Sequence, residues 1–283
     1  MRNNEINIRD PFVLAEDGIF YLYGTETETY GVQSGGFNVY TSRDLEEWSE
    51  PVQCFNSKKY RLNRGVNWGP NVHKYKGAYY MFATFTTTDP LRGTFVLKSD
   101  SPMGPFVPHS NGALTPEHWS SLYGSLYVDK NGVPYLFFGH DHTQIVNSSI
   151  CVVELSEDLT EPKGEVKTLF NGSDPHYVTR KRLFQYFLTD GPFVYEDING
   201  NPVLLWSTSI DSKYCQCYSK LRNGNVYGPY DHMSPIPNVD GGHGMIFKNG
   251  DKIMLVYHSP NRPGFEHPVF KEINDDGIFL RLK

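Results

Sequence analysis

Residues 18–23 read Gly-Ile-Phe-Tyr-Leu-Tyr, a glycine followed by a short aromatic strand. The pattern of a glycine that leads an apolar strand returns four times, at Gly77, Gly132, Gly200 and Gly250. These glycines are separated by 59, 55, 68 and 50 residues, which is about the length of one blade of a β-propeller. The even recurrence over nearly the whole chain indicates one repeated structural unit.

Turn residues come directly before most of these glycines. The clearest pairs are Asp17-Gly18, Asn131-Gly132, Asn199-Gly200 and Asn249-Gly250. Asp-Gly and Asn-Gly are strong hairpin signals because both residues tolerate a positive φ. Each unit is therefore predicted to contain a hairpin that joins an inner strand to the glycine-led strand, followed by a third strand that ends in a polar turn.

A second motif lies upstream of each glycine and would form the inner strand. The five motifs are Arg9-Asp10-Pro11, Trp68-Gly69-Pro70-Asn71, Tyr123-Gly124-Ser125, Thr189-Asp190-Gly191-Pro192 and Gly241-Gly242-His243-Gly244. In a closed ring these motifs converge on one axis. The sequence predicts an all-β fold, a single five-bladed β-propeller domain over residues 1–283. A β-sandwich is the alternative, but sandwiches seldom repeat a motif pair at such even intervals.

The composition limits the partners. The chain has 283 residues, 39% of them hydrophobic, which is enough for a large core. A net charge of −6 without a Lys/Arg cluster argues against nucleic acid, and no apolar stretch is long enough to predict membrane insertion. Four cysteines, at 54, 151, 215 and 217, are expected to be free thiols. We expect a cytoplasmic protein, or a secreted or periplasmic one if a signal peptide has been removed.

Two inner-strand motifs carry a carboxylate. Asp10 lies in the first unit and Asp190 in the fourth, at what reads as a matched position of the repeat. A carboxylate that activates water and a carboxylic acid that protonates the leaving oxygen are what glycosidic hydrolysis requires. A gap of roughly 6.5 to 9.5 Å between them leaves room for the water and inverts the anomeric configuration. The alternative is that an Asp before Pro or Gly only binds backbone amides in a turn.

Aromatic and polar residues near these motifs favour a sugar ligand, because flat rings stack on the apolar faces of sugars. The candidates for substrate binding are Trp68, Asn71, Trp119, Tyr123, His140, His243 and Glu266. His140-Asp141-His142 could also bind a metal ion, but no third ligand is identifiable and no metal site is predicted. No cofactor is expected to be required, although His243 could contact a water molecule or a structural cation on the axis.

Four short strings together resemble glycoside hydrolase family 43, a family of five-bladed propellers. Ile8-Arg9-Asp10-Pro11-Phe12 is similar to the first-blade motif of the family, and Trp68-Gly69-Pro70-Asn71-Val72 to its Trp-Ala-Pro-Glu-Val segment. Thr189-Asp190-Gly191-Pro192 resembles its Glu-Gly-Pro motif, and Gly242-His243-Gly244 its axial histidine. The resemblance covers essentially the whole chain and implies that Asp10 is the general base and Asp190 the general acid.

Three positions depart from the pattern of that family. Tyr123 stands where the family has a third carboxylate, which orients the acid and raises its pKa. Asp190 replaces the usual Glu and is one methylene shorter, and Asn71 replaces the Glu of the second-blade motif. Asp141 follows the third glycine-led strand, and we consider it a substitute for the third carboxylate or an alternative acid.

The resemblance implies an inverting glycosidase that releases arabinofuranosyl or xylosyl units from plant polysaccharides, and we expect it to be exo-acting. The exo preference rests on inserts such as residues 27–36 and 56–67, which are long enough to close a groove into a pocket. The departures favour a second reading, a catalytically weakened propeller that binds carbohydrate. A third reading, a propeller used only for protein interaction, gives no role to the two carboxylates.

Overall fold

The computed structural model describes residues 1–26, 35–62, 65–88, 91–178, 186–237 and 240–283, which form a five-bladed β-propeller. Each blade is an antiparallel sheet of four strands that follow one another in the chain. The prediction of an all-β five-bladed propeller is confirmed. The glycine-led segments form the second strand of every blade, as their hairpin signals indicate.

The strands have the following bounds. Blades one and two contain β1 (Ile8–Glu16), β2 (Ile19–Glu26), β3 (Gly36–Ser42), β4 (Val52–Asn56), β5 (Trp68–Tyr75), β6 (Ala78–Thr86), β7 (Arg92–Ser99) and β8 (Val107–Pro108). Blades three and four contain β9 (Ser121–Val128), β10 (Pro134–His140), β11 (Ser149–Leu155), β12 (Pro162–Asn171), β13 (Asp190–Glu196), β14 (Pro202–Ile210), β15 (Lys213–Leu221) and β16 (Tyr230–His232). Blade five contains β17 (Gly242–Asn249), β18 (Lys252–Ser259), β19 (His267–Asp275) and β20 (Leu280–Leu282). Among the described residues, three short 3-10 helices span Asn3–Glu5, Lys58–Tyr60 and Arg222–Gly224.

Apolar clusters fill the interfaces between neighbouring blades. Phe82 of blade two packs with Leu136 and Phe138 of blade three. The opposite face of the same β10 strand presents Phe137 to Trp206 of blade four. Burial of one such large side chain contributes about 1.5–3 kcal/mol, so the interfaces fix each blade relative to the next and hold the inner strands around the axis.

Contacts between the first and last blades close the ring. Trp48, which follows β3, stacks on Phe270 of β19 with ring centroids 5.7 Å apart. The ring of His267 contacts the carbonyl of Ile6 through Nδ1 at 3.0 Å. Strands β1 and β17 also pack against each other. Closure therefore brings inner-strand residues from opposite ends of the chain to one place.

Every inner strand contains one residue with left-handed backbone, at a point where its pairing with the second strand shifts register. These residues are Asp10 (φ 55°), Gly69 (φ 54°), Tyr123 (φ 58°), Gly191 (φ 52°) and His243 (φ 51°). Such bulges redirect a side chain and are common beside active sites. Left-handed backbone costs about 1–2 kcal/mol for a residue with a Cβ, and strained residues cluster at functional sites. The strain at Asp10, Tyr123 and His243 thus indicates a site on the axis.

Candidate active site

The backbone amides of four left-handed residues are held by the preceding blade. The hydrogen bonds are Gly69 N–H to Thr25 Oγ1 (2.8 Å), Tyr123 N–H to Thr84 Oγ1 (2.9 Å), His243 N–H to Ser207 Oγ (2.7 Å) and Asp10 N–H to His258 Nδ1 (3.1 Å). Each acceptor lies on the second strand of its blade. The repeat thus supplies a side-chain acceptor that holds the bulge of the next blade.

The fourth blade departs from this arrangement. The acceptor for blade four would have to come from β10 of blade three, where Gly139 occupies the position. Gly139 pairs with the residue before Tyr123, just as Thr25 pairs with the residue before Asp10. Without a side chain, Gly139 cannot accept the N–H of Gly191. That amide instead donates to Oδ1 of Asp190, at 3.0 Å.

The matched position that the sequence suggested for Asp10 and Asp190 is wrong by one residue. The counterpart of Asp10 is Gly191, which shares its left-handed backbone, and Asp190 precedes it. In the Asp-Pro motif of blade one the Asp itself forms the bulge. In the Asp-Gly-Pro motif of blade four the Gly after the Asp forms it. The two carboxylates consequently approach the axis from different backbone positions.

Asp10 is enclosed by donors and positive charge. Thr25 Oγ1 donates to its Oδ2 at 2.8 Å, while Oδ1 lies 3.4 Å from Nε of Arg9 and 3.0 Å from Nδ1 of His243. The last contact has the geometry of an ion pair rather than of an aligned hydrogen bond. Burial alone would raise the pKa of Asp10, but the charges of His243 and Arg9 outweigh it and hold the pKa well below its usual range. Asp10 is therefore ionised.

Asp190 shares the same histidine but has a different environment. Its Oδ1 lies 3.6 Å from Nδ1 of His243, and Tyr214 Oη donates to its Oδ2 at 2.7 Å. Burial and the negative charge of Asp10 raise the pKa of Asp190 and outweigh the opposing effects of His243, Tyr214 and Arg9. Because both Oδ1 atoms approach one nitrogen, they are at most 6.6 Å apart, the sum of the two distances. This upper limit lies at the lower end of the range of roughly 6.5–9.5 Å for inverting glycosidases, and it also includes the separation of about 5–5.5 Å that is typical of retaining ones.

His243 links the two carboxylates. Its burial would lower its pKa, but the charges of Asp10 and Asp190 together with the close contact to Asp10 raise it above the ordinary value. The ring of Tyr123 lies edge to face with His243, with centroids 4.3 Å apart. The side chain of Tyr123 is thus brought to the axis as the sequence predicted, and it packs on the histidine.

A second layer of polar residues surrounds Asp10. Arg9 lies 3.6 Å from Oε1 of Glu266 and donates to Oδ1 of Asn261 at 3.5 Å, and Asn261 also contacts Nε2 of His258 at 3.2 Å. Burial raises the pKa of Glu266, and burial together with the charge of Arg9 lowers that of His258 to about 3. His258 is therefore neutral, in agreement with its role as acceptor for the amide of Asp10.

Asp141 belongs to a different cluster. It accepts from Arg92 Nη1 at 2.7 Å and from Thr143 Oγ1 at 2.6 Å, and lies 2.8 Å from Nδ1 of His142. Although burial opposes them, these partners lower the pKa of Asp141. The guanidinium of Arg92 also stacks over the ring of Trp68, 4.7 Å from its centroid. A carboxylate held ionised in this way is poorly suited to be an acid.

The remaining predicted residues lie in two other places. Trp119 and His140 stack on each other in blade three, with centroids 4.0 Å apart and planes inclined by 7°. Gln144 fixes this pair by accepting through its Oε1 from Nε2 of His140, at 2.8 Å. Asn71 donates to the carbonyl of Gly124 at 3.2 Å and so joins blades two and three. Its amide is used for a contact between blades.

Two absences apply to the described part of the chain. Among those residues, no group of three or more His, Cys, Asp or Glu side chains has an arrangement that could hold a metal ion. No helix among them is long and apolar enough to cross a membrane. The four cysteines are all described and are unpaired, as expected.

Sequence reasoning missed Arg9 and Tyr214 as contributors to the site. Arg9 was visible as part of the first-blade motif, and its position beside Asp10 was an available signal. Tyr214 reaches Asp190 from β15, 24 residues further along the chain, and no local pattern marks it. It follows that the immediate surroundings of the acidic residues depend on long-range contacts.

The axis of this propeller brings together two buried carboxylates whose pKa values are shifted in opposite directions, beside aromatic and polar side chains. A pair of carboxyl groups with such different environments is the arrangement that glycoside hydrolases use. The sequence profile of the glycosyl hydrolases family 43 matches residues 5–273, so the chain belongs to that family and is a glycosidase.

Solved structures agree with this assignment. An endo-arabinase from Bacteroides thetaiotaomicron VPI-5482 is 34% identical, covers 99% of both chains and superposes with a TM-score of 0.87. An endo-1,4-beta-xylanase from the same organism is 22% identical over 100% of this chain and 96% of its own, with a TM-score of 0.80, and is similar in fold alone. A comparison with curated protein sequences gave no significant match.

Proposed function

We propose that this glycosidase hydrolyses arabinofuranosyl or xylosyl linkages with inversion, using Asp10 as general base and Asp190 as general acid. The observation that carries the proposal is a pair of buried carboxyl groups on either side of Nδ1 of His243, at 3.0 Å for Asp10 and 3.6 Å for Asp190, whose pKa values are shifted in opposite directions. A reaction that needs one ionised and one protonated carboxyl group at the same pH is served by such a pair. His243 contacts both groups and stabilises the negative charge of Asp10.

The reaction follows from these protonation states. Asp10 takes a proton from a water molecule while the water oxygen forms a bond to the anomeric carbon. The bond from that carbon to the glycosidic oxygen breaks, and Asp190 gives its proton to the departing oxygen. The products are a sugar hemiacetal of inverted configuration and an alcohol. Asp10 then loses its proton to solvent and Asp190 regains one from solvent, which restores both groups.

The substrate class and the mode of cleavage have separate supports. The 34% identical relative is an endo-arabinase. This similarity supports arabinan as the substrate of the present protein and supports internal cleavage of the polymer. Residues 27–34 and 63–64 of the predicted wall-forming inserts lie outside the described residues. The exo mode remains a prediction, and the products from linear arabinan decide it. Release of arabinose alone from the start of the reaction supports exo cleavage, whereas early arabino-oligosaccharides support endo cleavage.

The proposed roles are tested with nitrophenyl α-L-arabinofuranoside and β-D-xyloside, arabino-oligosaccharides and xylo-oligosaccharides. We expect Asp10→Asn and Asp190→Asn to lower turnover strongly, with Asp251→Asn, an exposed hairpin residue, as the matched control. Proton NMR of the first product gives its anomeric configuration. Retained configuration, or full activity of either site variant, would contradict the proposal.

A second candidate is a weakened glycosidase that mainly binds carbohydrate. It is favoured by the complete burial of the Asp10 side chain, whose exposed fraction is 0%, and by Tyr123 at the position of a family carboxylate. In the same assays this candidate predicts saturable binding of oligosaccharides to the wild type with turnover close to that of Asp10→Asn. Wild-type turnover well above that variant would exclude it.

A further inference from the structure

Two donors hold the carboxyl group of Asp190, one at each oxygen. The N–H of Gly191 donates to Oδ1 at 3.0 Å, and the hydroxyl of Tyr214 donates to Oδ2 at 2.7 Å. Asp190 is 8% exposed and Tyr214 is 2% exposed, so water competes little for these bonds. A carboxyl group bound at both oxygens has a fixed plane. Its Oδ1 is the oxygen nearer to His243.

The ring of Tyr214 is itself tightly held. It stacks on His258 with centroids 5.4 Å apart and planes inclined by 20°. The backbone N–H of Tyr214 donates to Oδ1 of Asp240 at 3.1 Å, and the backbone carbonyl of Tyr214 accepts from the N–H of Gly241 at 2.9 Å. A Cβ added at Gly242 would lie 2.8 Å from Cε1 of Tyr214, so the glycine-rich fifth motif makes room for this ring.

We propose that Tyr214 is the positioning residue for Asp190, which it orients toward the leaving oxygen. The inference rests on the proposed role of Asp190 as the acid. A phenol can donate to an ionised carboxylate and accept from a protonated one, so the contact can persist in both states of the reaction. Tyr214 thereby supports a short acid in a site where Tyr123 replaces the carboxylate that orients the acid in the family.

Loss of the hydrogen bond from Tyr214 should shift the pH profile of kcat/KM in one definite direction. The charged and titratable groups that face Asp190 are His243 on β17, Asp10 and Arg9 on β1, and Tyr214 on β15. The hydrogen bond from Tyr214 favours the ionised form of Asp190 and so lowers its pKa. Because the acid acts when protonated, loss of this bond moves the alkaline limb of kcat/KM to higher pH.

The test compares Tyr214→Phe with Tyr218→Phe. Tyr218 lies on the same strand, is 2% exposed, and its hydroxyl accepts from the N–H of Leu280, outside the site. With an unactivated arabino-oligosaccharide, whose leaving oxygen needs the proton, we expect Tyr214→Phe to lower kcat about tenfold to a hundredfold. We also expect the alkaline limb of the kcat/KM profile of this variant to move to higher pH by about one unit. Tyr218→Phe is expected to leave kcat and the limb unchanged, and thermal unfolding of both variants reports any loss of folding.

The role of Asp190 as the acid can be tested separately from the role of Tyr214, because the need for an acid depends on the leaving group of the substrate. Asp190→Asn is assayed with a dinitrophenyl glycoside, whose leaving group needs no proton, and with an unactivated oligosaccharide. A much larger loss on the oligosaccharide supports Asp190 as the acid. If that holds while Tyr214→Phe shows an unshifted limb and wild-type kcat, the role of Tyr214 is overturned and the proposed function stands. Equal losses on both substrates would overturn the role of Asp190.

Discussion

Asp10 and Asp190 are the same residue type, are both buried and contact the same nitrogen of His243, yet their pKa values move in opposite directions. The difference lies in the charges nearby. His243 is closer to Asp10 (3.0 Å) than to Asp190 (3.6 Å), and Arg9 is in direct contact with Asp10. The direct hydrogen bonds of Asp190 come from uncharged groups, and the negative charge of Asp10 raises its pKa. The charge beside each carboxyl group therefore sets the direction in which its pKa moves.

The largest effect is expected from removing the charge of Asp10. Asp10→Asn should lower kcat by about a hundredfold to ten-thousandfold, because it removes the proposed general base. It should also destabilise the protein by about 3–5 kcal/mol, because Arg9 and His243 then face each other without their buried counter-charge. Steady-state kinetics and urea unfolding measure the two effects. A variant as stable as the wild type would show that Asp10 does not hold these cations.

A smaller effect is expected on the Asp190 side when Tyr214 is displaced. A Cβ at Gly242 would lie 2.8 Å from both Ser207 Oγ and Tyr214 Cε1, so Gly242→Ala should cost about 1–3 kcal/mol of stability and lower kcat. Gly112→Ala is the control, because a Cβ there has no neighbour within 4 Å. Similar losses in both variants would mean that crowding of Tyr214 is not the cause.

The pH dependence of stability tests the ion pair between His243 and Asp10. Its folded pKa is raised, so its contribution is complete below the ordinary value of about 6.5 and is lost as the pH rises through the folded pKa. The pKa of Asp10 is lowered, so its contribution is present above about 3.9 and is lost as the pH falls through the folded value. The pair therefore stabilises the fold most between these two pH values.

We expect the wild type to lose unfolding free energy through this histidine as the pH rises above 6.5. His243→Gln should show a flatter profile above that pH, at lower overall stability. Urea denaturation at a series of pH values measures both. Parallel profiles for the two proteins would contradict a raised pKa for His243.

Gly139 offers a way to make blade four resemble the others. A Cβ there has its nearest neighbours at 3.7 Å, the carbonyl oxygens of Leu122 and Thr189, so a small side chain fits. Gly139→Ser should supply the side-chain acceptor that the other blades have, in place of Asp190 Oδ1, for the N–H of Gly191, and stabilise the protein by about 0.5–1 kcal/mol. Gly139→Ala separates the backbone effect from that of the hydroxyl. Equal stability of the two variants would show that no bond to Gly191 forms.

The smallest effect is expected from chelation. The proposed mechanism needs no cofactor, so treatment with EDTA should leave kcat and thermal unfolding unchanged. Loss of activity that added Ca²⁺ restores would show that an ion contributes beside His243. Such a result would change the account of how the charge of Asp10 is balanced.

The fold could be predicted in detail because its signals are local. Asp17-Gly18 and Asn199-Gly200 form hairpin turns by the conformational preferences of two adjacent residues, and the second strands follow directly. Within the site, Asp10 and His243 were identifiable because each lies in a short motif. Asp190 was also identified, but its register was off by one residue because the bulge position is a matter of backbone conformation.

The sequence by itself determined five hairpins at even spacing, hence a five-bladed ring, and the residue types that the ring brings to its axis. Tertiary structure alone decided the protonation of those residues. The contact from His258 to Asp10 spans 248 positions, and that from Tyr214 to Asp190 spans 24. A pKa depends on charges and donors within a few ångströms, and only ring closure determines which these are.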